Sequence, residues 1–126
     1  MTPLIFALVA LAGGLGAASR LLLDGIIRTR VSGRLPWATI LINVTGSLAL
    51  GFLAGLAVGN LVSDASYAIV GAGFLGGYTT FSTASFETVR LLQERKWLSS
   101  ALNGLGVIVT TTLVAGLGMW IGASIR

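Results

Sequence analysis

The sequence predicts an all-α membrane protein with four transmembrane helices per subunit. Of its 126 residues, 55% are hydrophobic and only 10% are charged, whereas soluble domains average about 25% charged residues. The apolar residues gather in four stretches, each near the length of about 20 residues that a helix needs to cross a bilayer. Short polar loops join these stretches, so we interpret residues 1–126 as a single transmembrane domain.

The predicted spans are residues 3–23, 37–60, 67–92 and 97–125. No basic segment precedes the first span, and its apolar run is longer than that of a secretory signal, so we expect it to be retained. A loop over residues 24–36 follows it. The second span begins at Trp37, because aromatic rings prefer the membrane interface.

The third span is predicted to be broken near Gly76–Thr80. A glycine pair, Gly76 and Gly77, is followed by a run of hydroxyl side chains and then by Glu87. Glycine best tolerates non-helical backbone angles, and broken membrane helices mark ion sites because unwound carbonyls and helix ends point at the ligand. The alternative is a kinked helix with a purely structural role.

Small residues recur every four positions and predict close helix packing. The clearest row is Ser47-Gly51-Gly55-Gly59, and shorter ones pair Gly13 with Ala17 and Gly118 with Gly122. Such rows let helix backbones approach closely in lipid. Four short helices scarcely enclose a pathway by themselves, so we expect an oligomer, most simply a dimer.

The charged residues predict one preferred orientation. The two loops on one side of the membrane carry Arg28, Arg30, Arg34, Arg90, Arg95 and Lys96, whereas the other side carries Arg126 alone. By the positive-inside rule, both termini should lie outside. The basic residues form no stripe, so we expect no nucleic-acid partner.

Histidine and cysteine are both absent from the sequence. Their absence removes the usual zinc sites and most pairs of nucleophile and base. We therefore expect no enzymatic activity.

Polar side chains fall on single faces of three predicted helices. The second span carries Thr39, Asn43 and Ser47 on one face. The third carries two neighbouring faces, one with Thr80, Thr83 and Glu87 and the other with Phe81, Ala84, Ser85 and Thr88. The fourth carries Asn103, Thr110 and Thr111. Polar groups inside a span are costly and usually functional. Together they suggest a narrow hydrogen-bonding track, suited to a small and strongly hydrated anion.

Two motifs, Asn43-Val-Thr-Gly46 and Gly76-Gly77-Tyr-Thr79-Thr80-Phe81-Ser82-Thr83, closely resemble the Fluc family of fluoride channels. Arg20, after Gly13-Gly14-x-Gly16, matches the first helix of that family, and the resemblance covers the whole chain. It implies an antiparallel dimer in the cell (inner) membrane that exports cytoplasmic fluoride passively and relieves fluoride toxicity. It also implies a structural Na⁺ at the dimer axis, held by the backbone carbonyls of Gly76 and Thr79.

The resemblance also implies site residues. The fluoride pathway would include Asn43, Phe81, Ser82, Thr83, Ser85 and Thr111, with Arg20 and Glu87 near vestibules. Arg20 could instead pair with Asp24, and Glu87 could extend to the interface.

One position departs from the family pattern. Ala84 stands where the family usually has a second phenylalanine, and Phe86 points to a different face. The dimer partner is therefore either a second copy of this chain or an oppositely oriented paralogue that supplies the missing ring.

Two other membrane functions compete with a channel. A small multidrug-type proton-coupled transporter needs a carboxylate in its first helix, and none precedes Asp24 here. A non-conducting assembly subunit is the second alternative, but it would not require polar faces inside the membrane.

Overall fold

The computed structural model describes residues 1–125, which are mostly helical and include no strand. The helices are α1 (Pro3–Arg30), α2 (Trp37–Val58), α3 (Asp64–Tyr67, the π-helical Ala68–Leu75 and Gly76–Tyr78), α4 (Ser82–Gln93) and α5 (Trp97–Ala101, the π-helical Leu102–Gly106 and Val107–Ser124). By length and composition, α1, α2 and α5 can each cross a membrane. The third predicted span is divided between α3 and α4. The all-α membrane prediction is confirmed.

Helix α1 is longer than its predicted span. Thr2 caps its first turn by accepting a hydrogen bond from the Ile5 N–H at 3.2 Å, and Pro3 occupies the first helical turn. The helix continues past residue 23 to Arg30, so the predicted loop from Asp24 is wrong. An ion pair of 2.8 Å between Asp24 and Arg28, one turn apart, stabilises the added turns.

Helices α2 and α5 make the most extensive packing in the chain, and their glycines explain it. A methyl group on Gly51 would overlap the Ala115 carbonyl oxygen, and one on Gly118 would overlap that of Leu48. The two backbones therefore touch without intervening side chains, as the small-residue rows predicted.

A second glycine contact joins α1 to α3. A methyl group on Gly16 would overlap the Phe74 carbonyl oxygen, and one on Gly77 would overlap that of Gly13. The glycine pair lies inside helical backbone, and Gly77 serves packing. The chain leaves the helix just after the pair, within the stretch Gly76–Thr80 that the sequence predicted.

The interruption itself follows immediately, at residues 79–81, as the sequence predicted to within a few residues. Thr79 is extended, with φ −80° and ψ 158°, and α4 begins at Ser82. Backbone groups freed in this way must find partners inside the protein, because lipid offers none.

Candidate functional site

Asn43, on α2, supplies the partners that the break requires. In a continuous helix the Thr80 N–H would donate to the Gly76 carbonyl, but here it donates to Asn43 Oδ1 at 2.8 Å. Asn43 Nδ2 donates in return to the Thr80 carbonyl, also at 2.8 Å. Asn43 is only 8% exposed, so its amide must be paired. The side chain therefore fixes the position of the break.

The Thr80 hydroxyl caps the N-terminal end of α4. It accepts a hydrogen bond from the Thr83 N–H at 3.2 Å, which is the role of an N-terminal cap, and it donates to Thr83 Oγ1 at 3.2 Å. Ser82 Oγ lies 3.4 Å from the same hydroxyl, and Ser82 is exposed. Three of the predicted polar residues thus form one cluster at the break.

A groove of about 540 Å³ lies on one side of this cluster. Four of the predicted pathway residues line it, namely Asn43, Phe81, Ser85 and Thr111. Ala84 also lines the groove, whereas Phe86 is 68% exposed and is not part of its wall. The structure therefore agrees that Phe86 does not replace the ring missing at Ala84.

A smaller cavity of about 100 Å³ lies on the other side, between α1, α2 and α4. Its polar lining is Arg20, Asp24, Arg28, Thr39, Thr80 and Thr83. Within the described residues, the buried Nε of Arg20 has no hydrogen-bond partner, and Asp24 pairs with Arg28. The alternative pairing of Arg20 with Asp24 is not found. Thr80 lines both cavities, and Asn43, its hydrogen-bond partner, lines the groove.

Glu87 lies beside this smaller cavity and does not extend to the interface. Its side chain is 14% exposed, and its Oε1 accepts a hydrogen bond from Thr39 Oγ1 at 2.5 Å. Its Oε2 lies 3.6 Å from Nη2 of Arg28. The sequence placed these three residues on separate segments, and nothing in their spacing predicted that they would meet.

Helix α4 is tied to α5 by hydrogen bonds between Thr88 and Asn103, which the sequence analysis placed on polar faces, and Ser100, which it did not name. Asn103 Nδ2 donates to Thr88 Oγ1 at 2.8 Å, and Ser100 Oγ donates to the Thr88 carbonyl at 2.9 Å. Asn103 is 3% exposed and Ser100 is 6% exposed. The signal available in the sequence was an asparagine within an apolar span, which needs a buried partner.

The carbonyls of Gly76 and Thr79, which the sequence analysis assigned to a Na⁺ site, lie at or next to the break. The Thr80 N–H that would pair with Gly76 is taken by Asn43, and Thr79 has left the helical conformation. Among residues 1–125 no group of three or more His, Cys, Asp or Glu could hold a metal ion. A cation site near the break would therefore depend on backbone oxygens, which hard cations accept.

Charged residues at the end of α4 and in the loop after it pair with one another. Lys96 Nζ lies 3.0 Å from Oε2 of Glu94, and Arg90 Nε lies 3.3 Å from its Oε1. The hydrogen bond and charge of Lys96, followed by the hydrogen bond of Arg90, lower the pKa of Glu94 below its ordinary value. These exposed pairs contribute little to stability.

Comparison with known proteins decides the family. The family described as "CrcB-like protein, Camphor Resistance (CrcB)" matches residues 7–123. The chain belongs to the CrcB family. Among its CrcB relatives is "Fluoride-specific ion channel FluC 1" of Leifsonia xyli, which is 51% identical over 97% of this chain and 89% of its own length.

Two further CrcB relatives carry similar names. "Fluoride-specific ion channel FluC 2" of Cutibacterium acnes is 43% identical over 93% of this chain and 96% of its own length. "Fluoride-specific ion channel FluC" of Syntrophotalea carbinolica is 39% identical over 90% of this chain and 93% of its own length. The family resemblance noted in the sequence is confirmed.

Proposed function

We propose that this chain is a subunit of a fluoride-selective channel in the cell (inner) membrane. It exports cytoplasmic fluoride passively and so relieves fluoride toxicity. The observation that carries the proposal is the Asn43–Thr80 contact, which fixes a broken span between two cavities lined by donor groups. The names of the relatives, each a fluoride-specific channel, support the same ion.

The pathway runs from the smaller cavity to the groove. Arg20 attracts the anion, and Thr83 and Thr80 then offer hydroxyl donors. An amide carries two N–H donors, and Thr80 takes only one from Asn43, so the second is free for the anion. These donors replace part of the hydration shell without binding the ion too tightly to release it.

The groove completes the pathway. Ser85 and Thr111 supply further hydroxyls along its wall, and Phe81 offers the positive edge of its ring. An aromatic edge attracts an anion more weakly than a full charge does. This balance favours passage over retention.

The channel is an antiparallel dimer. Gly76, Phe81 and Ser82 are exposed on the single chain, with Phe81 81% exposed. Lipid cannot satisfy the hydroxyl and carbonyl groups at this surface, so a second subunit must cover it. That subunit is either another copy of this chain or an oppositely oriented paralogue, and the paralogue would supply the ring absent at Ala84.

A structural Na⁺ belongs at the dimer axis. The Gly76 and Thr79 carbonyls would hold it, because both lie where the helical hydrogen bonding of the third span fails. The ion, when bound, supplies a fixed positive charge that favours anions nearby. Conduction makes and breaks no covalent bond, so the chain is not an enzyme.

Fluoride efflux from liposomes tests the proposal. Liposomes that contain the purified protein are loaded with potassium fluoride. Valinomycin lets K⁺ leave, so that fluoride can follow by electrogenic flux, and a fluoride-selective electrode measures the fluoride concentration outside. We expect rapid fluoride release, little chloride release in the matched potassium chloride experiment, and no release from protein-free liposomes. Equal release of the two halides would contradict selectivity.

The same liposomes test the rival functions. A proton-coupled transporter would exchange an organic cation for protons and dissipate an imposed pH gradient. Asp24, the only carboxylate of α1, is already paired with Arg28, which disfavours that role. A preparation that releases neither ion would instead favour a non-conducting assembly subunit.

A further inference from the structure

Arg28 joins two carboxylates at the edge of the smaller cavity. Its Nε lies 2.8 Å from Oδ2 of Asp24 on the same helix, and its Nη2 lies 3.6 Å from Oε2 of Glu87 on α4. Glu87 is held from its other side by the Thr39 hydroxyl. The single guanidinium therefore links α1 to α4 through a partly buried carboxylate.

The charges around this cavity are balanced in pairs. Arg20 and Arg28 are positive, and Asp24 and Glu87 are negative. Glu87 lies one helical turn beyond Thr83, and it accepts a hydrogen bond from Thr39, so two residues of the cavity wall adjoin it. An uncompensated carboxylate at this place would repel an anion in the cavity.

We propose that Arg28 is a positioning residue for anion conduction, which compensates the charge of Glu87 and holds its carboxylate against Thr39. The inference rests on the proposed fluoride conduction and assigns to Arg28 a role that Arg20, which lines the same cavity, does not share. Both arginines line the smaller cavity, but Arg28 is paired with Glu87, whereas the buried Nε of Arg20 has no hydrogen-bond partner within residues 1–125. Without Arg28, the cavity would hold one net negative charge.

Fluoride efflux from liposomes containing Arg28→Gln tests the role. An uncompensated unit charge near the pathway should slow fluoride release about tenfold, given the strength of Coulomb interactions in partly buried sites. Arg28→Lys keeps the charge and should retain most of the rate. Arg30→Gln is the matched control, because Arg30 is an exposed arginine on the same helix and forms no ion pair within residues 1–125. Its rate should equal that of the unmodified chain.

The double variant Arg28→Gln with Glu87→Gln separates charge from packing. Removing both charges returns the cavity to zero net charge, so fluoride release should recover to about the rate of the unmodified chain, whereas a purely structural role of Arg28 would leave the double variant slow. If Arg28→Gln alone does not fold, the double variant still decides, because charge compensation predicts release near the rate of the unmodified chain and a structural role predicts slow release.

Two results would overturn the inference while fluoride conduction stands: an unchanged rate in Arg28→Gln, or a double variant that remains slow. Absence of fluoride release from the unmodified chain would overturn the proposed function, and this inference with it.

Discussion

Asn43 and the backbone of Thr80 exchange two hydrogen bonds of 2.8 Å, one in each direction, across 37 positions of sequence. The amide side chain thereby replaces the helical partners that the third span loses at its break. It also keeps one N–H donor for an ion. One residue thus fixes the backbone and lines the groove that we propose as part of the fluoride pathway.

Asn43→Asp should reduce fluoride efflux by at least about tenfold, because a carboxylate removes the donor to the Thr80 carbonyl and places negative charge in the pathway. Ser47→Ala should have a much smaller effect, since Ser47 makes no side-chain hydrogen bond recorded among the described residues. Efflux per unit of reconstituted protein measures both. Equal and small effects would mean that Asn43 has a structural role only.

The sequence predicted the helices and the break because both depend on local composition. Apolar runs set the spans, and the polar cluster after Gly77 marked the interruption to within a few residues. It misplaced the end of α1 because a charged residue was taken to end the helix, whereas Asp24 and Arg28 pair along it. Helical backbone continues through charged residues when they are paired or reach water.

The site could be predicted only in part. The motif residues were identified by their types, and Asn43, Phe81, Ser85 and Thr111 do line one groove. The contact between Arg28 and Glu87 could not be foreseen, because it depends on how α1 packs against α4. Glycine contacts join α1 to α3, which precedes α4 in the chain, and their partners lie far apart in sequence.

Gly118→Ala should destabilise the protein by about 1–3 kcal/mol, because the added methyl group would overlap the Leu48 carbonyl oxygen and force α2 and α5 apart. Gly116→Ala, two residues earlier on the same helix, is the control. A methyl group there meets nothing within 4 Å, so stability should be unchanged or slightly raised. Thermal unfolding in detergent, followed by tryptophan fluorescence, compares them. Equal midpoints would argue against direct backbone contact.

Removal of Na⁺ should lower the thermal unfolding midpoint of the purified protein. The Gly76 and Thr79 carbonyls would then lack the cation that we propose they share, and binding to the folded state alone raises stability. The measurement compares Na⁺, K⁺ and N-methylglucamine chlorides at one ionic strength. A midpoint that is the same in all three would contradict a Na⁺ site.

Ser100→Ala should destabilise the contact between α4 and α5 by about 0.5–2 kcal/mol, because the Thr88 carbonyl loses a buried hydrogen bond of 2.9 Å. Ser99→Ala is the neighbouring control, since Ser99 has no side-chain hydrogen bond recorded within residues 1–125. Denaturant or thermal unfolding of both variants gives the difference. An equal loss of stability in the two variants would contradict a stabilising hydrogen bond from Ser100.

An accessible tag at the C-terminus should be found on the outer face of the membrane alone when the protein is expressed at native level. Six basic residues in the loops of one side against one on the other favour a single orientation. An antiparallel dimer would then require an oppositely oriented paralogue, which would also provide the ring missing at Ala84. An even division of the tag between the two faces would instead favour a homodimer.

The glycine contacts between α2 and α5 also restrict how related genes can change in length. Inserting one residue into either helix turns every later position by about 100° around the axis. Gly118 and Gly122 would then leave the interface, and larger side chains would meet the opposing backbone. Insertions and deletions should therefore be confined to the connections at 31–36, 59–63 and 94–96, where no such contact is interrupted.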